Sequence, residues 1–460
     1  MDGKQVWQGK ALYDFAPQAP GEISIWADET VTIINKDMQQ PPQLSGPCNY
    51  GLFPPNRSSI QEAGSKGDAA SKGGTVKRFN RFSNFVKSGG ESWLLGLIKP
   101  VVPSDEQIQI ECDGTLSWGI TMDPYQCEVS SPKKESKFKG FKNYIAYQLT
   151  PSFNQMPVSR RYKHFDWLHE RLQEKCVGNG CAGRYQDDFI EHRMAKLQLW
   201  VNRICQHPVM SQSSVWMHFL TCRDEKKWKM GKRKAEKDEL MGTNLFAAFQ
   251  VPQVSLDPLA VETKVDTFGK LAQKMDDGVN HLYKTSQDQI KKCSKHYKYE
   301  CEKIASSLKE LASAFDLEKS LPAAQLTEAL KHTEETYKHI GFMYESKLQH
   351  YWESLGDVLF MYKGVLAVWP DIVSFHKSFL SKHKEYQKMR DEVKLSQEDL
   401  EGIRQRMDVV SYAVMAEVSH FQRQKVHDFN AAMHDFLGGQ ISFYEEVCAA
   451  SKMLWCHLCY

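Results

Sequence analysis

Arg160, Arg161 and Tyr162 open the run Arg160-Arg161-Tyr162-Lys163-His164-Phe165-Asp166-Trp167-Leu168, in which a strand pattern passes directly into a helix pattern. Adjacent guanidinium groups beside an aromatic ring at such a corner form a cation fork. Arginine grips a phosphate monoester through two parallel hydrogen bonds, and Tyr162 offers a flat wall to the carbon face of a sugar or inositol ring. The competing reading is an ordinary solvated arginine pair, with Phe165, Trp167 and Leu168 as the buried face of a helix. Two further segments concentrate cations. Between 77 and 87, Phe79, Phe82, Phe85 and Val86 share one helical face flanked by Lys77, Arg78, Arg81 and Lys87. That is the pattern of an interfacial membrane helix, or of a segment stapled onto the domains that follow. The run Lys226-Lys227-Trp228-Lys229-Met230-Gly231-Lys232-Arg233-Lys234 interleaves Trp228 and Met230 with its charges, which suits an anionic lipid surface or a structural joint better than nucleic acid.

The elements that hold these groups follow from length and pattern. A chain of 460 residues is expected to form about three domains. With 59 basic against 57 acidic residues the net charge is +2, so any attraction to a polyanion has to be local. No stretch approaches the ~18 apolar residues of a membrane span. The polar start Met1 to Lys10 is not a signal peptide, so a cytosolic protein is expected. Twelve cysteines are scattered until the tail, where Cys456 and Cys459 form one C-x-x-C around His457. Without a second ligand pair the expectation is free thiols, no metal and no cofactor. Asn56-Arg57-Ser58 fits a glycosylation acceptor, which means nothing in a cytosolic chain. There is no P-loop, nucleophile elbow, H-E-x-x-H or paired His-Lys-Asp phospholipase signature, so no enzyme is expected.

Residues 1–60 read as a short β module, and 61–76, rich in Gly, Ser, Ala and Lys, as a flexible linker. From 101 to 222 alternating strands, Ile108 to Cys112 and Tyr144 to Leu149, precede helices ending near Leu220, an α+β arrangement. Beyond about 246, Val265, Phe268, Met275, Val279 and Leu282 begin a stripe at three-and-four spacing. Ile403, Met407, Val410, Val414, Phe421, Phe429, Met433 and Phe436 form another. Breaks near Leu321-Pro322 and between Arg390 and Glu398 predict three long helices. One from 400 to 447 would run about 70 Å, too long to bury its stripe alone.

The corner at Arg161, preceded by Phe138-Lys139-Gly140 and Tyr144 to Leu149 and followed by Asp188-Phe189-Ile190-Glu191, closely resembles the phosphoinositide-binding PX domain of sorting nexins. The resemblance implies that Arg161 and Tyr162 hold the 3-phosphate and pack on the inositol ring, and that Arg193 binds ring hydroxyls. The loop Cys176-Val177-Gly178-Asn179-Gly180-Cys181-Ala182 departs from it, lacking the proline and the 1-phosphate lysine, which implies weakened or broadened headgroup recognition. Ala11-Leu12-Tyr13-Asp14-Phe15, Glu22-Ile23-Ser24-Ile25, Glu29, Val31 to Ile34 and Gly51-Leu52-Phe53-Pro54 resemble an SH3 domain. That implies a peptide groove at Tyr13 and Phe15 for a preformed polyproline helix. It too departs: no tryptophan lies within Lys36 to Tyr50, and Arg57 stands where a ligand-stacking tyrosine is expected. The linker lacks the acidic and aromatic coat-binding motifs of the family. Tyr412 to Phe421 with Asp428-Phe429 resembles the last helix of the sorting-nexin BAR domain, two copies of which pair antiparallel into a crescent. A plain helical bundle is the alternative.

The expected fold is therefore multidomain: a small all-β SH3-like barrel (1–60), linker (61–76), amphipathic or yoke segment (77–100), α+β PX domain (101–222), basic yoke (223–245) and an all-α three-helix BAR coiled-coil dimer (246–460). Candidate membrane contacts are Lys232, Arg233, then Lys291, Lys292 and Lys295 beside Lys298, and Lys382, Lys384 and Lys388 with Lys377 and Arg390. Phe79, Phe82, Phe85 and Val86 are the insertion candidates. The function implied is a non-enzymatic, homodimeric, curvature-generating protein of endocytosis and endosomal traffic. It would act as a peripheral protein on plasma membrane, endocytic vesicles and early endosomes. Its partners would be anionic phosphoinositide membranes and, through the SH3-like module, proline-rich proteins such as dynamin and actin-nucleation factors, with no nucleic acid. A cargo adaptor that does not bend membrane and a protein-only scaffold are the alternatives.

Overall fold

The computed structural model describes the backbone of residues 7–11, 30–33, 43–45, 50–52 and 60–62, and then residues 89–98, 100–119, 123–137, 142–175, 190–318, 320–391 and 395–458. The chain divides into two units, Met1–Val76 and Lys77–Tyr460. In the first, β1 (Trp7–Ala11), β2 (Thr30–Ile33), β3 (Gln43–Ser45), β4 (Tyr50–Leu52) and β5 (Ile60–Glu62) form one antiparallel sheet in the order β4-β3-β2-β1-β5. Tyr13 and Phe15 lie outside the described residues, as do Phe79, Phe82, Phe85 and Val86.

In the second unit a short helix α1 (Gly90–Leu94) precedes a hairpin of β6 (Ile108–Asp113) and β7 (Thr115–Trp118). The alternation of Ile108 to Cys112 does form a strand. Its sheet partners are β7 and, in parallel, β11 (Phe249–Gln250), while β8 (Cys127–Lys137), β9 (Lys142–Pro151) and β10 (Val158–Arg161) make a separate antiparallel sheet in the order β10-β9-β8. A register shift between Ser130 and Lys133 interrupts the β8–β9 ladder. The helices α2 (Tyr162–Lys175), α3 (Ile190–Gln206) and α4 (Ser214–Thr221) follow. Phe165, Leu168 and Leu172 recur at three-and-four spacing along α2, so one face drops into a core with Tyr147, Leu149, Trp200, Val201, Trp216 and Phe219. Each buried leucine, valine or phenylalanine of this core contributes about 1.5–3 kcal/mol by leaving water.

Helix α5 (Glu225–Glu236) carries the basic run, capped by Asp224, whose side chain accepts from Lys227 N at 2.7 Å. Its Trp228 enters the same core. Gly231 sits against His218, where a Cβ would overlap the imidazole, so glycine is what lets α5 lie this close to α4.

The remaining chain is helical. Asp257 and Pro258 start α6 (Pro258–Lys291), which passes through a π-helical turn, Lys292–Tyr297, into α7 (Lys298–Phe315). Ser320 caps α8 (Leu321–Met343), which passes through a second π-helical turn, Tyr344–Leu348, into α9 (Gln349–Leu366). Helix α10 (Trp369–Asp391) continues after a short turn, and α11 (Gln397–Leu458) spans 62 residues, roughly 90 Å at ~1.5 Å per residue. The two expected breaks fall where the sequence places them, and the π-turns and the turn at Ala367 and Val368 are additional. Val265, Phe268, Val279, Ile403, Met407, Val410, Val414, Phe421 and Phe436 are buried as the stripes predict. Leu282 and Met433 are not; they lie exposed on faces that one chain alone does not cover. By length and composition one segment, within 321–389, passes as a membrane span, against the sequence expectation. Its Leu359, Met361, Tyr362, Val365, Leu366, Trp369 and Ile372 instead fill the core shared with α6 and α11.

Trp93, Leu94, Ile110, Trp118, Phe246 and Phe249 pack with Phe379, Ile403, Met407 and Val410. The β6–β7 hairpin thus shares its core with α10 and α11, and the N-terminal α1 is tied there by Trp93 Nε1 donating to the Arg406 carbonyl at 3.1 Å.

Candidate functional site: the strand-to-helix corner at Arg161

Period-two alternation decides what the two arginines of β10 do. Val158 and Arg160 point into the core, Ser159 points out, and Arg161 is half-buried at the strand end. Arg160 is 5% exposed. Its Nε donates to the Phe219 carbonyl at 2.9 Å and its Nη2 to the Cys222 carbonyl at 2.6 Å, while the guanidinium lies 4.2 Å from the centre of the Trp228 ring. Burial pushes its pKa down to about 10, so it remains charged at neutral pH. The adjacent pair is therefore not a fork. Arg160 ties the turn after α4 to α5, and of the pair only Arg161 is left at the outer corner.

Arg161 sits 5.9 Å from the Tyr144 ring and donates from Nε to His164 Nε2 at 3.0 Å. Tyr144 is held by its hydroxyl, which donates to Glu135 Oε2 at 2.7 Å; that bond raises the phenol pKa, with burial adding to it. One residue on, Tyr162 begins α2, and Arg193 arrives from α3 with its guanidinium 4.7 Å from the Tyr162 ring centre. Burial raises the Tyr147 phenol pKa and the Arg193 charge opposes it, so Arg193 acts on Tyr147 as well as on Tyr162. The structure thus brings Arg161, Tyr162 and Arg193 to one corner, two cations from separate elements around two tyrosine rings. The loop Cys176 to Ala182 lies outside the described residues.

Sequence reasoning gave His164 and His218 no role at the corner, and of its two readings of Trp228, a lipid surface or a structural joint, the structure shows the joint. His164 stands at i+3 from Arg161, and its ring centre is 5.0 Å from that of Trp228, which in turn stacks on His218 at 5.3 Å. The helical spacing was a readable signal for His164; the contribution of Trp228, sixty-odd residues away, was not.

The basic residues divide. Lys382 is a correction: it is 8% exposed, 3.4 Å from Glu91 and 3.2 Å from Glu385, and turned into the protein instead of toward lipid. Lys384 pairs with Glu262 at 2.9 Å, Lys377 with Asp266 at 2.8 Å and Lys298 with Glu345 at 2.6 Å. Lys232 rests over the Trp167 ring at 4.8 Å. Arg233, Lys291, Lys292, Lys295 and Lys388 are exposed. Among the described residues no cluster of His, Cys, Asp and Glu could hold a metal ion.

A polar seam joins α3 to α11. His207 Nε2 lies 3.1 Å from Glu417 Oε2, Trp118 Nε1 donates to the same oxygen at 3.1 Å, and Gln424 donates to Gln206 at 2.7 Å. Burial alone would raise the Glu417 pKa, but His207, His420 and the Trp118 indole outweigh it and hold the carboxyl down to about 2. Farther along, Tyr362 donates to Asp428 at 2.7 Å, and Arg203 lies 3.5 Å from the same carboxylate.

Comparison with known proteins matches this architecture. The PX domain family matches residues 148–223, which include Arg161, Tyr162 and Arg193, and the family described as the WASP-binding domain of Sorting nexin protein matches residues 224–455. Sorting nexin-33 of Mus musculus is 38% identical over 390 residues, covering 82% of this chain and 68% of its own. Sorting nexin lst-4 of Caenorhabditis elegans is 38% identical over 436 residues, 92% of this chain and 75% of its own. Sorting nexin-18 of Mus musculus is 39% identical over 342 residues, 72% and 56% respectively. A strand-to-helix corner that presents one arginine and hides its neighbour, followed by long helices that match the WASP-binding domain, places the chain in the sorting nexin family, among the members that join a PX domain to a BAR domain.

Proposed function

We propose that the chain is a phosphoinositide-binding, curvature-generating sorting nexin of endocytosis and endosomal membrane traffic, working by binding and not by catalysis. The observation that carries this reading is the corner itself. Arg161 is turned outward with no carboxylate partner among the described residues, and Arg193 meets the Tyr162 ring from another helix. A phosphate on Arg161 would lay the inositol carbon face on an aromatic wall, with ring hydroxyls toward Arg193.

The helices supply the second half of the reading. Val426, Met433, Leu437, Ile441 and Tyr444 are exposed along α11 at near-heptad spacing, an apolar stripe that supports an antiparallel homodimer through residues 246–460. Two corners on one rigid dimer would convert modest headgroup affinity into avidity. Exposed Arg233, Lys291, Lys292, Lys295 and Lys388 would add attraction to anionic lipid, and the segment Phe79, Phe82, Phe85 and Val86 would insert as a wedge. The domain limits proposed are 1–60, 61–76, 77–100, 101–222, 223–245 and 246–460. The strand order β4-β3-β2-β1-β5 supports the SH3-like reading of the first, with Tyr13 and Phe15 as its peptide-binding residues and dynamin-like proline-rich proteins as partners. The WASP-binding family match supports a link to actin assembly. The protein would act from the cytoplasm on plasma membrane, endocytic vesicles and early endosomes.

A cargo adaptor that does not bend membrane is the second reading, favoured by one observation: Lys298, Lys377 and Lys384 are engaged by carboxylates. Negative-stain microscopy of anionic liposomes, with and without phosphoinositide, tests both. Coated tubules that need phosphoinositide are expected. Round liposomes at saturating protein would refute curvature generation and leave the adaptor.

A further inference from the structure

We propose that His164 is a positioning residue that fixes how Arg161 grips a phosphate. This rests on the phosphoinositide reading of the corner. A guanidinium can meet a phosphate side-on, through Nε and one Nη, or end-on, through both Nη atoms. In this structure Arg161 Nε already donates to His164 Nε2 at 3.0 Å. The side-on edge is spent, and the end-on pair is the edge left to the ligand. The bond also sets the ring: an imidazole accepts at Nε2 only when neutral with its proton on Nδ1.

The imidazole is itself held in place. It lies on the first turn of α2, with its ring centre 5.0 Å from that of Trp228 on α5. Trp228 is in turn packed between the Arg160 guanidinium at 4.2 Å and the stacked His218 ring at 5.3 Å. Arg161 therefore takes its direction from a ring anchored in the core, and the four-bond side chain reaches the corner with fewer rotamers to lose on binding. An arginine without this acceptor would still be cationic. It would present a distribution of edges, and an inositol ring stacked on Tyr162 fits only one of them.

Three variants of the full chain separate acceptor from shape. His164→Phe keeps a ring against Trp228 and removes the acceptor. His164→Gln keeps an acceptor at the reach of Nε2, and His164→Asn keeps the amide but shortens the reach. Binding is measured to phosphatidylcholine vesicles with and without a mixed phosphoinositide fraction, with soluble inositol phosphates as competitors, and thermal unfolding is followed alongside. His164→Phe and His164→Asn are expected to lose about five- to tenfold in phosphoinositide-dependent affinity, on the order of 1 kcal/mol. His164→Gln is expected to stay within about twofold of the parent. Equal binding by His164→Phe and the parent would overturn the proposal, as would His164→Gln falling as low as His164→Phe. Arg161→Ala distinguishes the two levels of failure. If the parent and Arg161→Ala bind phosphoinositide vesicles alike, the reading of the corner fails, and the role of His164 fails with it.

Discussion

Arg160 and Arg161 are consecutive residues of β10 that serve opposite sides of it: Arg160 donates to the carbonyls of Phe219 and Cys222 inside the core, and Arg161 faces the outer corner beside Tyr144. The same substitution at each should therefore give contrasting defects. Arg160→Met strands two carbonyls and loses the Trp228 contact, at a cost on the order of 3 kcal/mol in stability. Arg161→Met should leave the melting temperature unchanged and lower phosphoinositide binding about tenfold or more. Calorimetry and vesicle sedimentation on the two proteins check this; a stable Arg160→Met would contradict the structural role given to it.

The joint between α4 and α5 depends on the absence of one side chain. Gly231→Ala would push α5 off the His218 ring and unseat Trp228 from beneath Arg160. The expected loss is about 1–3 kcal/mol, as for other overpacked positions, and faster proteolysis within residues 222–237. Gly278→Ala, where a Cβ meets nothing within 4 Å, is the control and should be neutral or slightly stabilising.

Acid should weaken the helical core before it reaches the carboxylates. Burial pushes the His376 pKa down to about 4 against the partly opposing charges of Glu262 and Asp266. Burial, with the nearby His207, Arg203 and Arg423 charges, pushes His420 down to about 3, while Glu417 opposes. A histidine whose folded pKa is depressed binds its proton more readily when unfolded. Its stabilisation is whole above about pH 6.5 and is lost as pH falls toward its folded value. Two such groups make stability fall by up to ~2.7 kcal/mol per pH unit between about pH 6 and 5. The Glu417 pKa, depressed to about 2, adds a further loss only below about pH 4.5. Denaturant titrations across pH 5–8 on the parent and His376→Gln, which cannot titrate, should show a shallower slope in the variant.

Lysines on the helices should sort by their partners. Glutamate in place of Lys291, Lys292 and Lys295 together should cut binding to anionic liposomes about tenfold or more at physiological salt, with little change in melting temperature. Lys382→Glu faces Glu91 and Glu385 in a buried setting and should instead destabilise the fold with no specific effect on lipid. Liposome binding scored against thermal shift for the two proteins gives the answer.

Much of this was legible in the residues. Helix-period stripes, the breaks at Leu321-Pro322 and after Arg390, and the strand-to-helix corner all follow from local pattern, which is why the PX and helical regions could be read. What could not be read depends on contacts distant in sequence. The inward turn of Arg160 requires the α4 carbonyls and Trp228, and the burial of Lys382 requires Glu91, almost three hundred residues earlier. The β6–β7 hairpin alternates as any strand does, and nothing in its residues says that it packs on α11. One clue was present and unread. Buried positions along the first long helix step by seven from Val279 to Ser286 to Cys293 and then by eight to Cys301, and the π-turn Lys292–Tyr297 overlaps the start of that longer step.

That extra residue has a counterpart. The π-turn Tyr344–Leu348 lies against the first one, with Tyr297 and Tyr344 ring centres 5.1 Å apart and Phe443 of α11 5.0 Å from Tyr344. Residue count in the two helices is therefore a shared quantity. Deleting one residue from 292–297 would rotate all of α7 by about 100° relative to α8, whereas deleting one from each turn would let both helices run on in step. Single deletions in these two helices are therefore expected to destabilise more than the matched double deletion, and circular dichroism melts of the single and double deletions would measure the loss and its cancellation.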